Sequence, residues 1–167
     1  MKRKKKKESL PKLRKKALKL WAKVVKSRVG NKCEVCGIKN GELNKNGKKT
    51  WINAHHIEDK MNYSTRFCVK NGVALCPSCH KFSKNSAHRS PVWFLNWLYA
   101  NKKDIMEYIM EARDTNPSKA SDWSMEMMKE LMNDLQNKIN ELENNYDSTA
   151  EEISPKIYTN PKDSLFG

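Results

Sequence analysis

The sequence predicts an α+β fold in which helices flank a small core and a long helix follows at the C-terminal end. Three observations support this prediction. Two Cys-x-x-Cys pairs, at residues 33–36 and 76–79, have the spacing of a metal clamp. Short segments of β-type composition lie between the two pairs, and amphipathic helical patterns precede and follow them. We therefore expect one small zinc-stabilised domain with appended ends, which a chain of 167 residues can accommodate.

Positive charge is concentrated in the first two thirds of the chain. Residues 1–103 hold 27 of the 33 Lys and Arg residues and 5 of the 19 Asp and Glu residues, whereas residues 104–167 carry 6 against 14. A basic field of this size attracts a polyanion through counterion release, so nucleic acid is the expected partner and a membrane surface is the rival. No run of about 18 apolar residues occurs, and no apolar segment follows the basic start. We therefore expect a cytoplasmic protein without a membrane partner.

The N-terminal region is predicted to be a basic tail followed by an amphipathic helix. Residues 1–9 are mostly lysines and are expected to lack fixed structure. From Ser9, a candidate N-cap, to near Gly30, apolar residues recur at helical spacing and lysines fill the other face. The apolar stripe should cover the core. The lysine face, which includes Lys19 and Lys23, either lies along a DNA backbone or is simply solvated.

The middle of the chain is predicted to form a hairpin and a polar loop. Asn44 to Gly47 has turn composition, and residues 49–55 have the aromatic and β-branched content of a strand. Residues 56–70 are polar and irregular, as expected of a loop that presents groups to a ligand. Lys60 and Arg66 are the basic candidates in this loop.

A second strand and several helices are predicted after the loop. Residues 73–75 are apolar and predict a short buried strand that leads into the second cysteine pair. Pro77 suits the first turn of a helix, so a helix is expected over residues 78–84. Pro91 then opens an aromatic-rich run at helical spacing, which predicts one or two helices that close the core. These segments complete a domain that we place at residues 10–112.

The C-terminal part is predicted to be an acidic helix within residues 113–146, followed by a flexible polar tail at 147–167. A break at Asn116 and Pro117 precedes it, and the continuous helix is expected from Ser121 or Asp122. Apolar residues share one side of this helix: Met125, Met128, Leu131, Met132, Leu135, Ile139, Leu142 and Tyr146. The spacing leaves open whether the helix docks on its own domain, forms a homodimer with a second copy, or binds another protein partner.

The cysteines predict a structural metal site. Four thiolates suit a structural Zn²⁺, and paired Cys-x-x-Cys motifs are far more specific than a single pair. A redox motif is the alternative, but the chain lacks a thioredoxin-like βαβ pattern. Cys68 stands outside the pairs and is expected to be a small buried hydrophobe. The predicted zinc ligands are Cys33, Cys36, Cys76 and Cys79.

Three histidines are predicted to converge inside the clamp. If zinc joins the two cysteine pairs, the strand ending at His55 and His56 must lie beside the helix that carries His80. Neighbours on an extended strand point to opposite sides, so one histidine of the pair is expected to bind a metal and the other to act as a base. An imidazole pKa near 6.5 suits the base role at neutral pH. The alternative is that these are hydrogen-bonded core side chains.

These motifs together carry a resemblance to a known family. The sequences AHHI at residues 54–57 and NGVALCPSCH at 71–80, preceded by the first cysteine pair, resemble the HNH endonucleases, also called ββα-metal or His-Me finger nucleases. The resemblance covers residues 31–90. The sequences STRF at 64–67 and HRSP at 88–91 further resemble small HNH proteins encoded by bacteriophages. The resemblance implies a ββα-metal core and a metal-dependent DNA endonuclease of a phage or mobile element, acting in the bacterial host cell.

The resemblance also implies roles for individual residues. His55 would bind a catalytic divalent metal, His80 would be the second ligand, and His56 would be the general base that activates water. Mg²⁺, Mn²⁺, Ni²⁺ and Zn²⁺ remain alternatives for this metal. Asn71 would be either a further ligand or the residue that holds the loop bearing the base.

Two further predictions concern a third metal ligand and the DNA contacts. In such sites a third histidine often sits one helical turn after the first, where this chain has Lys84; His88 would ligate only if the helix ended early. The residues expected to contact DNA are Arg66, Lys60, Lys81, Lys84, Lys19 and Lys23. The alternative function is a zinc-stabilised nucleic-acid-binding module without catalysis, which would have no need for the histidines.

Overall fold

The computed structural model describes residues 8–115 and 119–146, and within them the chain has the predicted α+β fold. The basic residues 1–7 and the polar residues 147–167, for which tails were predicted, lie outside the described residues. The helices are α1 (Leu10–Ser27), α2 (Pro91–Asn101), α3 (Lys103–Thr115) and α4 (Met125–Tyr146). The strands are β1 (Asn53–His56) and β2 (Gly72–Leu75), with short helical turns at Val69–Asn71, Ser78–Phe82 and Ala120–Asp122.

Helix α1 begins where the sequence predicts and ends slightly earlier. Ser9 occupies the N-cap position, but its side chain makes no capping hydrogen bond. The helix stops at Ser27 because the chain then enters left-handed backbone at Gly30 (φ 61°) and Asn31 (φ 53°). Its apolar stripe faces the interior, as predicted, and buries Leu13, Ala17, Trp21, Val24 and Val25.

The predicted hairpin is present, but the strand that follows it is shorter than expected. The turn at residues 44–47 is closed by a hydrogen bond from the Gly47 amide to the Asn44 carbonyl. Residues 49–52 form their hydrogen bonds with the hairpin and with Asn40, whose side chain accepts the Ile52 amide. Pairing with β2 therefore starts only at Asn53.

Strands β1 and β2 form a two-stranded antiparallel sheet with a helix on each face. The register pairs His55 with Val73 and His56 with Gly72. On the face of His56, a Cβ on Gly72 would lie 2.4 Å from Val25 Cγ2 in α1, so glycine permits the close approach of α1. On the face of His55, the ring of Phe94 in α2 lies 5.3 Å from the imidazole. The two neighbouring histidines thus face different helices.

The helix predicted over residues 78–84 is instead a single π-helical turn that ends at Phe82. The chain then folds back on this turn, because the Ala87 amide donates to the Cys79 carbonyl (2.9 Å) and the His88 amide to the His80 carbonyl (3.1 Å). Lys84 consequently lies outside the turn and is exposed. The early end of the helix is what brings His88 back to the site.

Two helices close the core, as predicted for the aromatic-rich run. Helices α2 and α3 are separated at Lys102, which has non-helical backbone. Helix α3 continues through residue 115, so the first residues of the predicted C-terminal helix (113–146) belong to α3. Among the described residues, no helix is long and apolar enough to cross a membrane.

Helix α4 docks on its own domain, which was one of the alternatives left open by the sequence. Met128, Leu135 and Ile139 are at most 2% exposed and join the core clusters that α1 contributes to. Glu143 also forms an ion pair with Lys23 of α1, with 2.7 Å between Oε1 and Nζ. The acidic helix therefore lies along the basic helix. Homodimerisation and a protein partner stay predictions.

Candidate metal centres

The four predicted cysteine ligands form one cluster able to bind a metal ion. Two come from the turn after α1, one directly follows β2, and one lies in the π-helical turn, and their sulfurs are all within 4.8 Å of one another. Cys36 Sγ and Cys76 Sγ are 3.7 Å apart. Zn–S bonds of about 2.3 Å at tetrahedral angles separate neighbouring sulfurs by about 3.8 Å. The donor set and its spacing therefore fit a structural zinc.

Local backbone geometry preorganises this cluster. The Gly37 amide donates to the Cys33 carbonyl (2.8 Å), and the left-handed backbone of Gly37 (φ 75°) closes the turn. The Cys79 amide lies 3.5 Å from Cys76 Sγ and supports negative charge there. A hydrogen bond from the neighbouring Cys36 thiol is the main cause that lowers the pKa of Cys33 to about 7. Hydrogen bonds within the cluster also lower the pKa of Cys76 but raise the pKa of Cys36 and of Cys79, so the thiols share their protons unevenly. A bound zinc would hold all four as thiolates.

Glu34, which no sequence motif marks, connects this cluster to the sheet. Its amide donates to the Ala74 carbonyl (2.8 Å), and its Oε1 accepts the Ala74 amide (2.8 Å). The carboxylate is 7% exposed and also pairs with Arg28 and Lys102. In sequence, Glu34 is only an acidic residue between Cys33 and Cys36. Its structural role depends on partners that are brought together by the fold.

Three histidines converge into a second group that could hold a metal ion. His80 Nε2 lies 3.1 Å from His55 Nδ1 and 3.2 Å from His88 Nε2. Two imidazole nitrogens bound to one ion at about 2.0–2.1 Å are separated by about 2.9–3.4 Å. The spacing fits a shared ion, and His88, the least certain ligand from the sequence, is part of the group.

The surroundings of His55 keep its imidazole neutral. Burial, with smaller contributions from His80 and His88, lowers the pKa of His55 to about 3. Burial also lowers the pKa of His80. A neutral imidazole has the free lone pair that a metal ligand needs, so His55 and His80 are suited to binding a cation.

His56 lies on the opposite face of β1 and is held in a different way. Its ring stacks on Trp21 with 3.8 Å between centroids and 13° between planes, and its Nε2 lies 2.9 Å from the Arg66 carbonyl. Trp21 is itself fixed by its indole N–H, which donates to the Cys68 carbonyl (2.8 Å). Burial lowers the pKa of His56. Trp21 reads in sequence only as one member of a buried stripe, so this role was missed.

Asn71 is fully buried and engaged by the loop that precedes it. Its Oδ1 accepts the Glu58 amide (2.7 Å), and its Nδ2 donates to the carbonyls of Thr65 (3.1 Å) and Glu58 (3.3 Å). Because both polar atoms of the amide are used in this way, the geometry favours the loop-holding alternative over metal ligation.

The histidines line a cleft of about 920 Å³. Lys60 and Lys81, two predicted DNA contacts, lie at this cleft and are exposed. The apolar wall on the α2 and α3 side consists of Phe94, Leu95, Leu98, Met106, Ile109 and Met110. Glu58, Asp59 and Arg113 also line it. The cleft therefore combines four imidazoles, groups of both charges and an apolar wall.

The remaining predicted DNA contacts lie outside this cleft. Lys19 and Lys84 are exposed, whereas Lys23 is paired with Glu143 of α4. The Arg66 guanidinium lies 4.7 Å from the centroid of the Tyr63 ring, and its Nε is buried without a hydrogen-bond partner among the described residues. These residues stay predictions as DNA contacts.

Comparison with known proteins adds no family assignment. No protein-family model, no curated protein and no solved structure matches the chain. The resemblance to HNH endonucleases therefore depends on the motifs of residues 31–90, while the α+β fold and a cysteine cluster able to bind a metal stand on the structure itself.

Proposed function

We propose that the protein is a metal-dependent endonuclease that hydrolyses phosphodiester bonds in DNA. One observation carries the proposal. His55, His80 and His88 converge with metal-ligand spacing, while His56, a separately held imidazole, lines the same cleft. Metal-assisted hydrolysis needs a metal-binding site and a base that does not itself bind the metal, and this cleft offers both.

The three convergent histidines would hold the catalytic divalent metal. Such an ion supplies Lewis-acid chemistry, offsetting the negative charge that develops on phosphate oxygens during hydrolysis. Three imidazole ligands suit Zn²⁺ and Ni²⁺ better than Mg²⁺ and Mn²⁺, which prefer oxygen ligands. The cysteine cluster would hold a separate structural zinc. The two ions have different donor sets and would therefore differ in their metal preference.

His56 would be the general base. If Nε2 carries the ring proton and donates a hydrogen bond to the Arg66 carbonyl, Nδ1 is unprotonated and can accept a proton from water. Stacking on Trp21 fixes the plane of the ring. Burial lowers the pKa of His56, which favours the neutral form required of a base at neutral pH.

Asn71 would be a positioning residue for this base. Through its amide it fixes the carbonyl of Thr65, the residue before Arg66, and both ends of its hydrogen-bond network lie in the loop of residues 58–65. Holding this loop keeps the Arg66 carbonyl in place as the partner of His56. The role is indirect, because Asn71 has no free polar atom for substrate.

The ββα-metal arrangement is part of the proposal. Strand β1 carries His55, strand β2 follows Asn71, and the next helical element carries His80, which is the order of elements that the resemblance implies. The last element is a π-helical turn of five residues, followed by the fold-back that supplies His88. DNA would be recognised through phosphate contacts from Lys60 and Lys81 at the cleft, within the strongly basic first two thirds of the chain.

Cleavage of supercoiled plasmid by the purified protein, across a series of Mg²⁺, Mn²⁺, Ni²⁺ and Zn²⁺, tests this function. We expect metal-dependent conversion to nicked or linear DNA, and we expect His80→Ala to abolish it. Tyr99→Ala is the matched control, because this exposed aromatic on α2 is not among the residues that line the cleft. A protein that binds the plasmid but leaves it intact with every metal would support the alternative of a non-catalytic binding module.

A further inference from the structure

A second surface, away from the histidines, has features that the proposed function does not use. The β-hairpin of residues 41–50 is followed directly by Trp51, and the two together are called here the hairpin surface. Trp51 is 59% exposed, and Leu43 on the hairpin is 63% exposed. Tryptophan is a highly buried residue on average, and an indole this exposed is free to contact a ligand.

The hairpin surface is positively charged and not neutralised. Four exposed lysines lie on or beside the hairpin: Lys39, Lys45, Lys48 and Lys49. One acidic residue, the exposed Glu42, lies among them, and its Oε2 accepts the backbone amide of Lys39 (2.8 Å), so the lysines outnumber the carboxylates by four to one. None of the four lysines pairs with a carboxylate in the part of the chain that the structure describes, whereas Lys23 on α1 does. The free charges suit phosphates.

Trp51 lies four residues before His55, just outside the start of β1 at Asn53. Side chains alternate between faces along β1, so Asn53 and His55 share one face. The alternation of exposure continues outward from the strand, since Ile52 is buried and Trp51 is exposed. Four residues can separate the Cα atoms of Trp51 and His55 by at most about 14 Å. Trp51 is therefore close enough to the histidine cluster for one DNA strand to contact both.

The hairpin surface is also held rigidly. Asn44 Oδ1 accepts the amides of Asn46 (2.9 Å) and Lys48 (3.1 Å), which fixes the tip. The carbonyl of Trp51 accepts a hydrogen bond from the Asn53 side chain (3.3 Å). A fixed backbone reduces the loss of conformational entropy on binding, as expected of a recognition element.

We propose that the hairpin surface binds an unpaired stretch of the DNA substrate, with the Trp51 indole stacked on a base and Lys48 and Lys49 against the phosphates. This inference rests on the proposed function, to which it adds a substrate class. Bases in a duplex have both faces covered by their neighbours, whereas an unpaired base offers a free face to an aromatic side chain.

Fluorescence anisotropy with labelled oligonucleotides tests the proposal by binding alone, without added divalent metal. The probes are a single strand, a duplex with a central unpaired stretch, and a fully paired duplex. Trp51→Ala should weaken binding to the first two probes roughly 5- to 150-fold, the range expected for one base–aromatic stack, and leave the paired duplex nearly unchanged. Trp51→Phe should retain most of the affinity. Lys48→Gln combined with Lys49→Gln should reduce the salt slope on the single strand by about 1.4.

Tyr99→Ala is the control, since Tyr99 is 55% exposed but lies on α2. The proposal is overturned if Trp51→Ala binds all probes like the wild type, if it loses affinity for the paired duplex equally, or if Trp51→Phe is as weak as Trp51→Ala. A wild-type protein that binds none of the probes also overturns it. Plasmid cleavage, measured separately with metal, distinguishes the stacking site from the nuclease. If the wild type cleaves DNA and Trp51→Ala binds the probes normally, only the stacking site is refuted. If Trp51→Ala binds more weakly but the wild type does not cleave DNA, only the nuclease is refuted.

Discussion

Two adjacent residues, His55 and His56, have different surroundings. The alternation of side chains along a strand predicts that they face opposite sides, and the structure places one against His80 and the other against Trp21. The cysteine ligands were equally predictable, because their spacing is a local signal. Glu34 and the stacking of Trp21 were not predictable, since each depends on contacts between residues more than 30 positions apart in sequence.

At this scale the two histidines should respond differently to substitution. His56→Ala removes the proposed base and leaves the three-histidine group intact, so the cleavage rate should fall about 100- to 10,000-fold with metal affinity retained. His55→Ala should weaken metal binding, and a higher metal concentration should restore part of its activity. Plasmid cleavage at several metal concentrations, with metal affinity from calorimetry, measures both. If added metal restored the activity of His56→Ala while His55→Ala stayed inactive at every metal concentration, the two roles would be the reverse of those proposed.

Among the elements, the π-helical turn positions His80 and His88, and the contact of α1 with β2 positions Trp21 beside His56. The sequence predicts both strands and the helices. The helix predicted at residues 78–84 is too long, because no residue near Phe82 marks the end of the turn in sequence. The stop comes from backbone hydrogen bonds between the turn and residues 87–88, which are tertiary contacts. His88 could therefore be named only as a conditional ligand from sequence.

The contact of α1 with β2 is predicted to be sensitive to one added methyl group. A Cβ at Gly72 would lie 2.4 Å from Val25 Cγ2 and 2.8 Å from Trp21 Cζ2, so Gly72→Ala must push α1 away from the sheet. We expect a loss of roughly 1–3 kcal/mol in the free energy of unfolding, measured by urea denaturation. The shift should also disturb the stacking of Trp21 on His56.

A double mutant provides the control for this contact. Val25→Ala removes the methyl groups nearest to the added Cβ, so in combination with it Gly72→Ala should cost less than it does alone. Equal costs of Gly72→Ala in the two backgrounds would show that the loss does not arise from the contact with Val25.

For the whole molecule, metal binding and folding are expected to be coupled. The cysteine cluster joins the turn after α1 to β2 and the π-helical turn across 40 positions of sequence, in a domain with only a two-stranded sheet. Structural zinc sites of this kind contribute folding free energy directly. Cys76→Ser should therefore give unfolded or insoluble protein, and folded wild type should contain one tightly held zinc per chain from this cluster.

Elemental analysis and circular dichroism measure this prediction. Cys68→Ser is the matched control, because Cys68 lies outside the cluster and its substitution should preserve zinc content and fold. Folded wild-type protein without zinc would contradict the prediction, as would a Cys76→Ser protein that unfolds at the same urea concentration as the wild type.

The two ends of the described chain meet in one core, since α4 lies along α1. This could not be decided from the sequence, because an apolar stripe with spacings of three, four and seven residues suits docking and self-association equally. The structure buries Leu135 and Ile139 to 2% and 0% exposure, whereas Lys23 and Glu143, which pair across the same two helices, are more than half exposed. Apolar burial rather than the ion pair should therefore hold α4 in place.

Substitution in α4 tests which interaction dominates. Leu135→Ala and Ile139→Ala should each lower the free energy of unfolding by about 2–5 kcal/mol, because each leaves a cavity between the helices. Glu143→Gln should cost about 0–1 kcal/mol, as exposed ion pairs do. Gln136→Ala, at an exposed position of the same helix, should change little. Urea denaturation measures all four variants, and a larger loss for Glu143→Gln than for Leu135→Ala would mean that charge, not burial, fastens this helix to the domain.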